Sequence, residues 1–133
     1  MRIMIDANVI YSAYILPDSS IANIVKHIKL NHTLVLCKHV IDEVESTIIN
    51  KRPHDFLYIK RFINDLPDDV FVLGNYNIAD YPPIRDLKDL PILISAIQSK
   101  VDIFITGDKD FDEVRIDKPR ILKPRQYQDE FMS

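Results

Sequence analysis

Four carboxylates stand where an alternating strand–helix chain places chemistry: Asp6, Glu43, Asp89 and Asp108. Asp6 closes the apolar run Arg2-Ile3-Met4-Ile5, and Asp108 follows Ile103-Phe104-Ile105-Thr106. Asp89 opens an apolar-periodic segment, and Glu43 lies in the first turns of another. Each acid alone has a structural use. Asp6 suits a loop cap, Asp89 a helix N-cap, Glu43 a solvated helix position and Asp108 a turn. Together they describe one edge of one sheet, and like charges so gathered raise their own pKa values. A cation at the centre relieves that repulsion. Carboxylate oxygens without cysteine or paired histidine select a hard ion, Mg²⁺ or Mn²⁺. Such ions bind phosphate oxygens and activate water for in-line attack. Asn8 lies two residues after Asp6 and Thr106 two before Asp108. That spacing shares a face on an extended segment.

The elements that position these acids follow from periodicity. Arg2–Ile5 reads as a buried strand. Ile21, Ile24, Val25 and Ile28 form one helix face, with Ser19 or Ser20 as its cap, and Asn31-His32 breaks it. Leu34–Cys37 is a second strand. Ile41, Val44 and Ile48 mark a second helix ended by Pro53, and Phe56, Ile59, Ile63 and Leu66 a third stopped by Pro67. Val70–Leu73 is a third strand. The stretch 75–88, with Pro82-Pro83, reads as a loop. Leu90, Leu93, Ile94 and Ile97 give a fourth helix. Strands follow at Ile103–Thr106 and Arg120–Leu122, and 126–133 is a frayed tail or short helix. The alternation predicts α/β architecture with a mainly parallel central sheet and helices on both faces.

With 133 residues, the chain fits one domain spanning 1–133. No apolar run approaches the roughly 20 residues of a membrane span, and Asp6 interrupts the only N-terminal signal-like stretch. A cytoplasmic protein is expected. Cys37 is the only cysteine, so no internal disulfide or multi-cysteine zinc site forms. It reads as core. His27, His32, His39 and His54 lack metal-ligand spacing. Only Gly74 and Gly107 are glycines, which excludes a P-loop and a dinucleotide fingerprint. A net charge of −3 supplies no global basic field and argues against a nucleic-acid coat protein.

The sequence resembles the PIN-domain family. The resemblance rests on Ile5-Asp6-Ala7-Asn8-Val9, Glu43, the segment Asp89-Leu90-Pro91-Ile92-Leu93-Ile94-Ser95-Ala96, and Ile105-Thr106-Gly107-Asp108-Lys109-Asp110-Phe111. It extends to Ile121-Leu122-Lys123-Pro124. Within the family the chain is most similar to small prokaryotic toxins of toxin–antitoxin pairs. The resemblance implies a three-layer α/β/α sandwich and a Mg²⁺- or Mn²⁺-dependent endoribonuclease. It carries the metal-binding, catalytic acids onto Asp6, Glu43, Asp89 and Asp108. Asn8 and Thr106 match supporting positions. Asp110 and Asp86 are nearby acids that bind the ion directly, bind it through water, or stay exposed. Ala7 departs from the hydroxyl residue common there. Glu43 is preferred to Asp42, which points about 100° away around the helix.

Substrate contacts are expected from Lys51, Arg52, His54, Lys60 and Arg61, and from Arg115, Lys118, Arg120, Lys123 and Arg125, although solvated charge explains any one of them equally well. An antitoxin helix would enter an apolar groove, with Ile21, Ile24, Phe56, Tyr58 and Phe62 as candidates that serve equally as core. A homodimer is also expected. The main alternative is a catalytically silent PIN-fold module that binds RNA or a partner protein. An aspartyl phosphatase would carry a second Asp two residues after the first, but Asn8 stands there. A structure-specific DNA nuclease shares the metal chemistry but needs extra gripping elements.

Overall fold

The computed structural model describes residues 1–133. Its centre is built from apolar runs too short and too branched to be helices. β1 (Arg2–Ile5), β2 (Thr33–Cys37), β3 (Asp69–Phe71), β4 (Ile103–Ile105) and β5 (Arg120–Leu122) form one sheet in the order β3-β2-β1-β4-β5. Every neighbouring pair is parallel. Met4 lies opposite Val35 on one side and Phe104 on the other. Ile3, Met4 and Ile5 are fully buried, as are Leu34 to Cys37. Continuous apolar runs of this kind belong to parallel sheets covered on both faces.

Parallel neighbours need crossover connections, and the helices supply most of them. α1 (Ala7–Ile15) and α2 (Ser20–Asn31) join β1 to β2. α3 (Lys38–Lys51) and α4 (Phe56–Asp65) join β2 to β3, α5 (Leu90–Gln98) precedes β4, and α6 (Pro124–Phe131) follows β5. The five-stranded sheet is therefore flanked by six helices, the expected α/β/α arrangement with every strand parallel. Local chemistry accounts for the ends. The Ser19 hydroxyl accepts from the Ala22 amide at 3.2 Å and caps α2. Pro91 and Pro124 sit in the first turns of α5 and α6, where no intrahelical N–H is lost. Val40, Val44 and Ile48 bury one face of α3, and Ile59 and Ile63 one face of α4.

Three elements differ from expectation. α1 is a full helix where only a strand end was legible. Asn8 consequently lies on a helix, so the shared face of an extended segment does not apply to it. β3 begins at Asp69 and ends at Phe71, because the Asp68 amide bonds the Leu34 carbonyl and starts the pairing early. The loop 75–88 contains a 3-10 turn at Ile78–Asp80, and a second turn, Leu87–Asp89, runs straight into α5. The C-terminal segment is helical and anchored. Tyr127 is fully buried, stacks on Phe131 at 5.0 Å and meets His27 Nδ1 through its hydroxyl at 2.8 Å. Burial pushes the Tyr127 phenol up to about 12. No helix is long and apolar enough to cross a membrane.

Phe104, fully buried in β4, holds its ring 5.2 Å from Phe111 in an edge-to-face pair. Phe104→Ala removes this pair and the ring's buried surface and is expected to cost about 3–5 kcal/mol in urea unfolding. A loss below about 1 kcal/mol would place this ring outside the core.

Candidate active site

β1 and β4 lie side by side, and the chain leaves β1 towards β2 but reaches β4 from the far edge. That is a topological switch point, where open α/β sheets form a crevice at the carboxyl ends of their strands. Asp6 is the first residue past β1. It caps α1, accepting from the Ala7 amide at 2.8 Å and from the Thr106 hydroxyl at 2.6 Å. Asp6 is only 4% exposed. Burial pushes its carboxyl above the ordinary value, the bonds from Thr106 and Ala7 pull it back, and the Asp108 charge raises it further.

Thr106, the residue after β4, ties the two strand ends together. Its Oγ1 donates to Asp6 and accepts from the Asp108 amide at 3.0 Å. Asn8 Oδ1 accepts from the Gly107 amide at 3.3 Å. Asn8 thus holds the β4 loop from α1. Asp108 Oδ1 accepts from the Asp110 amide at 2.9 Å and caps the 3-10 turn Lys109–Phe111.

Glu43 reaches the same crevice from α3. Burial raises its pKa first, the charges of Asp6 and Asp108 raise it further, and His39 lowers it. Asp42 instead pairs with Lys38, one turn back on α3. The neighbouring acids thus face different surroundings.

Asp89 occupies the cap position of α5 without making a cap bond. Its carboxyl is pushed up to about 7, first by burial, then by Asp108, by a hydrogen bond shared with Asp110, and by the charges of Asp6 and Asp86. Asp86 Oδ1 holds the Lys88 amide at 3.0 Å and so bends the chain into the turn before α5. One carboxylate oxygen each from Asp86, Asp89 and Asp110 lies within 4.8 Å of the others. The tightest grouping therefore joins one of the four leading acids to the two nearby ones; Asp6 and Asp108 act on Asp89 through their charges, and Glu43 is coupled to Asp6 and Asp108. Sequence reasoning missed Arg85, whose Nε stands 3.7 Å from Asp110 Oδ1. It lies in an aperiodic loop and offers no pattern to read.

A family model for the PIN domain matches residues 2–110. The chain belongs to the PIN-domain family. All six acids fall inside the matched segment, and Ile121–Pro124 lies beyond it. No curated protein matches the chain. Among solved structures, a chain from VapBC2 of Rickettsia felis, bound to a DNA fragment from their promoter, superposes with a TM-score of 0.69. Sequence identity is 15%, over 92% of this chain and 98% of that one, so the likeness is one of fold.

This PIN-fold crevice suits a hard divalent cation. Its donors are all carboxylate oxygens, three of them converge within 4.8 Å, and the only basic side chain bonded to them is Arg85 at the rim. Burial first, and then the crowding of like charges, push the Asp89 carboxyl up to about 7, and a bound cation would relieve both.

The basic residues expected to grip substrate are partly engaged elsewhere. Lys51, Arg52, Lys60 and Arg61 are exposed, but Arg52 pairs with Asp55 at 2.7 Å and Lys60 lies over the Phe56 ring. In the second group Lys118, Arg120, Lys123 and Arg125 each pair with a carboxylate. An apolar cavity of about 350 Å³ opens between α1, α2 and α4, lined by Val25, Leu30, Phe62 and Leu66 among others. Of the groove candidates, Phe62 lines it, Tyr58 lines the adjoining hollow, and Ile24 is buried core.

Proposed function

We propose that this chain is a divalent-metal-dependent endoribonuclease and the toxin of a toxin–antitoxin pair. The observation that carries the reading is the convergence of carboxylates, with Arg85 as the one paired cation, at the switch point of a PIN-domain sheet. In this reading Asp6, Glu43, Asp89 and Asp108 hold the ion or ions, with Asp86 and Asp110 close enough to Asp89 to share one. When bound, Mg²⁺ or Mn²⁺ would neutralise the scissile phosphate and activate the attacking water. The chain's own residues do the positioning. The Thr106 hydroxyl fixes the Asp6 carboxylate and, through the Asp108 amide, the start of the next acidic turn. Asn8 pins Gly107 and keeps that turn against α1. Asp89 must release its proton to bind a cation, so ion affinity falls below about pH 7.

No side chain serves as nucleophile in this scheme, and the products carry a 5′-phosphate and a 3′-hydroxyl. The antitoxin reading is supported by the apolar cavity between α1, α2 and α4, which suits one face of an amphipathic helix. A homodimer belongs to the same proposal. The test uses purified protein and an end-labelled mixed RNA pool, with Mn²⁺ or with EDTA. Cleavage is expected with Mn²⁺ and none with EDTA. Intact RNA in both, together with no Mn²⁺ binding by calorimetry, would replace the nuclease with a silent binding module. Growth arrest on induced expression tests the toxin assignment.

A further inference from the structure

The carboxyl edge of the sheet continues past the acids, from β4 to β5. There a cavity of about 560 Å³ opens beside the acidic turn. Thr106, Phe111, Val114 and Leu122 form its buried side. Arg115, Arg120 and Lys123 supply cations at its mouth, against the single carboxylate of Asp112. Thr106 is the residue that holds Asp6, so the cavity and the acid cluster share a wall.

The lining has the chemistry of a nucleotide site. Its volume falls within the range of about 300–1,000 Å³ typical of pockets for small organic ligands. Apolar walls suit a base and sugar, and cations suit a phosphate. The local charge is opposite to that of the chain, which carries −3 overall. The cations are not equally free. Glu130 holds Arg120 through two bonds of 2.8 Å, and Asp112 holds Lys123 at 2.8 Å. Arg115 has no carboxylate partner. Its Nη1 donates to the main-chain oxygens of Asp112 at 3.0 Å and Val114 at 3.5 Å, which steadies the guanidinium and leaves its other N–H groups available. Gln126, also on the lining, lies in the first turn of α6, where the Arg125 and Gln126 amides have no intrahelical acceptor.

We propose that this cavity is a subsite for single-stranded RNA, taking the nucleotide and phosphate that flank the bond presented to the acids. The proposal rests on the ribonuclease reading for the identity of the strand. Arg115 and the opening amides of α6 meet the phosphate, and Ile116, Ile121 and Leu122 meet the base and sugar. The chain reading from acids to cavity crosses Thr106.

The test is an amide-shift NMR titration of the ¹⁵N-labelled protein in EDTA, where no cleavage is expected. The probes are inorganic phosphate, AMP and a single-stranded RNA hexanucleotide. The hexanucleotide is expected to shift amides across 111–126 and to bind about tenfold or more tighter than AMP, because it also spans the neighbouring surface. Arg115→Glu is expected to weaken hexanucleotide binding about fivefold or more and to flatten its salt dependence. Gln126→Glu keeps the acceptor that Gln126 Oε1 offers the Lys123 amide at 2.7 Å and adds only charge, so it checks the result should Arg115→Glu fail to fold. Hexanucleotide shifts that leave 111–126 unmoved would overturn the subsite. AMP or phosphate binding as tightly as the hexanucleotide would overturn the RNA assignment. The nuclease reading fails separately: a protein that never cuts RNA but binds it in this cavity keeps the subsite. One that cuts normally with Arg115→Glu and Gln126→Glu at unchanged KM loses the subsite alone.

Discussion

Asp108→Asn and Asp6→Asn each reduce Mn²⁺-dependent RNA cleavage by about a hundredfold or more and leave the fold in place. The substitution changes one atom and removes one charge. In Asp108 the oxygen that accepts the Asp110 amide survives as the Asn carbonyl, so the acidic turn keeps its cap. In Asp6 the bond from the Ala7 amide survives in the same way. The bond that changes is the 2.6 Å contact with Thr106, whose hydroxyl must rotate to accept from the new amide. The buried carboxylate of Asp6, only 4% exposed, has no role in solvation and carries a desolvation cost that Asn avoids. Thermal melting in EDTA should therefore show both variants as stable as the parent or more so, while an RNA cleavage assay with Mn²⁺ shows the loss. An Asn variant that cleaves at the parent rate removes that acid from the proposed site.

Asp89→Asn is expected to stabilise the metal-free protein at pH 8 and to leave it little changed near pH 4. The folded carboxyl keeps its proton up to about 7, whereas an unfolded aspartate releases it near 4. Between those values the folded state binds more protons, so stability falls as pH rises through the window. Fully transmitted, the shift corresponds to about 4 kcal/mol. Asp89 is partly exposed and shares its charge with water, which leaves about 1–2 kcal/mol, or roughly 5 °C in Tm. Asn cannot ionise and escapes the penalty. Saturating Mn²⁺ should reverse the order, because a cation that binds only the folded parent stabilises it by mass action. The measurement is calorimetric melting at both pH values with EDTA and with Mn²⁺. Equal Tm values for parent and variant at pH 8 in EDTA would show that the acids do not crowd one another.

The strands and the acids that end them were legible because both are written in local sequence. Continuous apolar runs such as Leu34–Cys37 announce a buried parallel strand, and a charge directly after one announces its carboxyl edge. α1 was not legible. Ala7-Asn8-Val9-Ile10-Tyr11-Ser12-Ala13-Tyr14-Ile15 contains no charge, so its buried residues Val9, Ile10 and Ala13 have no polar face to stand out against. The choice of Glu43 over Asp42 rested on helix geometry, and the structure pairs Asp42 with Lys38 on α3. The resemblance named Asp86 and Asp110 as nearby acids, but their close approach to Asp89 could not be derived from residue patterns. It depends on two short turns, Leu87–Asp89 and Lys109–Phe111, each bent by an aspartate that caps it, and such turns leave no periodic trace.

Thr106 and Asp6 are partners across 100 positions of chain. During synthesis the N-terminus emerges first, so β1, β2 and β3, with Asp6 and Glu43, leave the ribosome while β4 is still unmade. A nascent chain short of Thr106 lacks both the central neighbour of β1 and the hydroxyl that fixes Asp6. The acid cluster closes only once Thr106 has been made and β4 has paired with β1, so no nascent chain that stops short of β4 holds the assembled site.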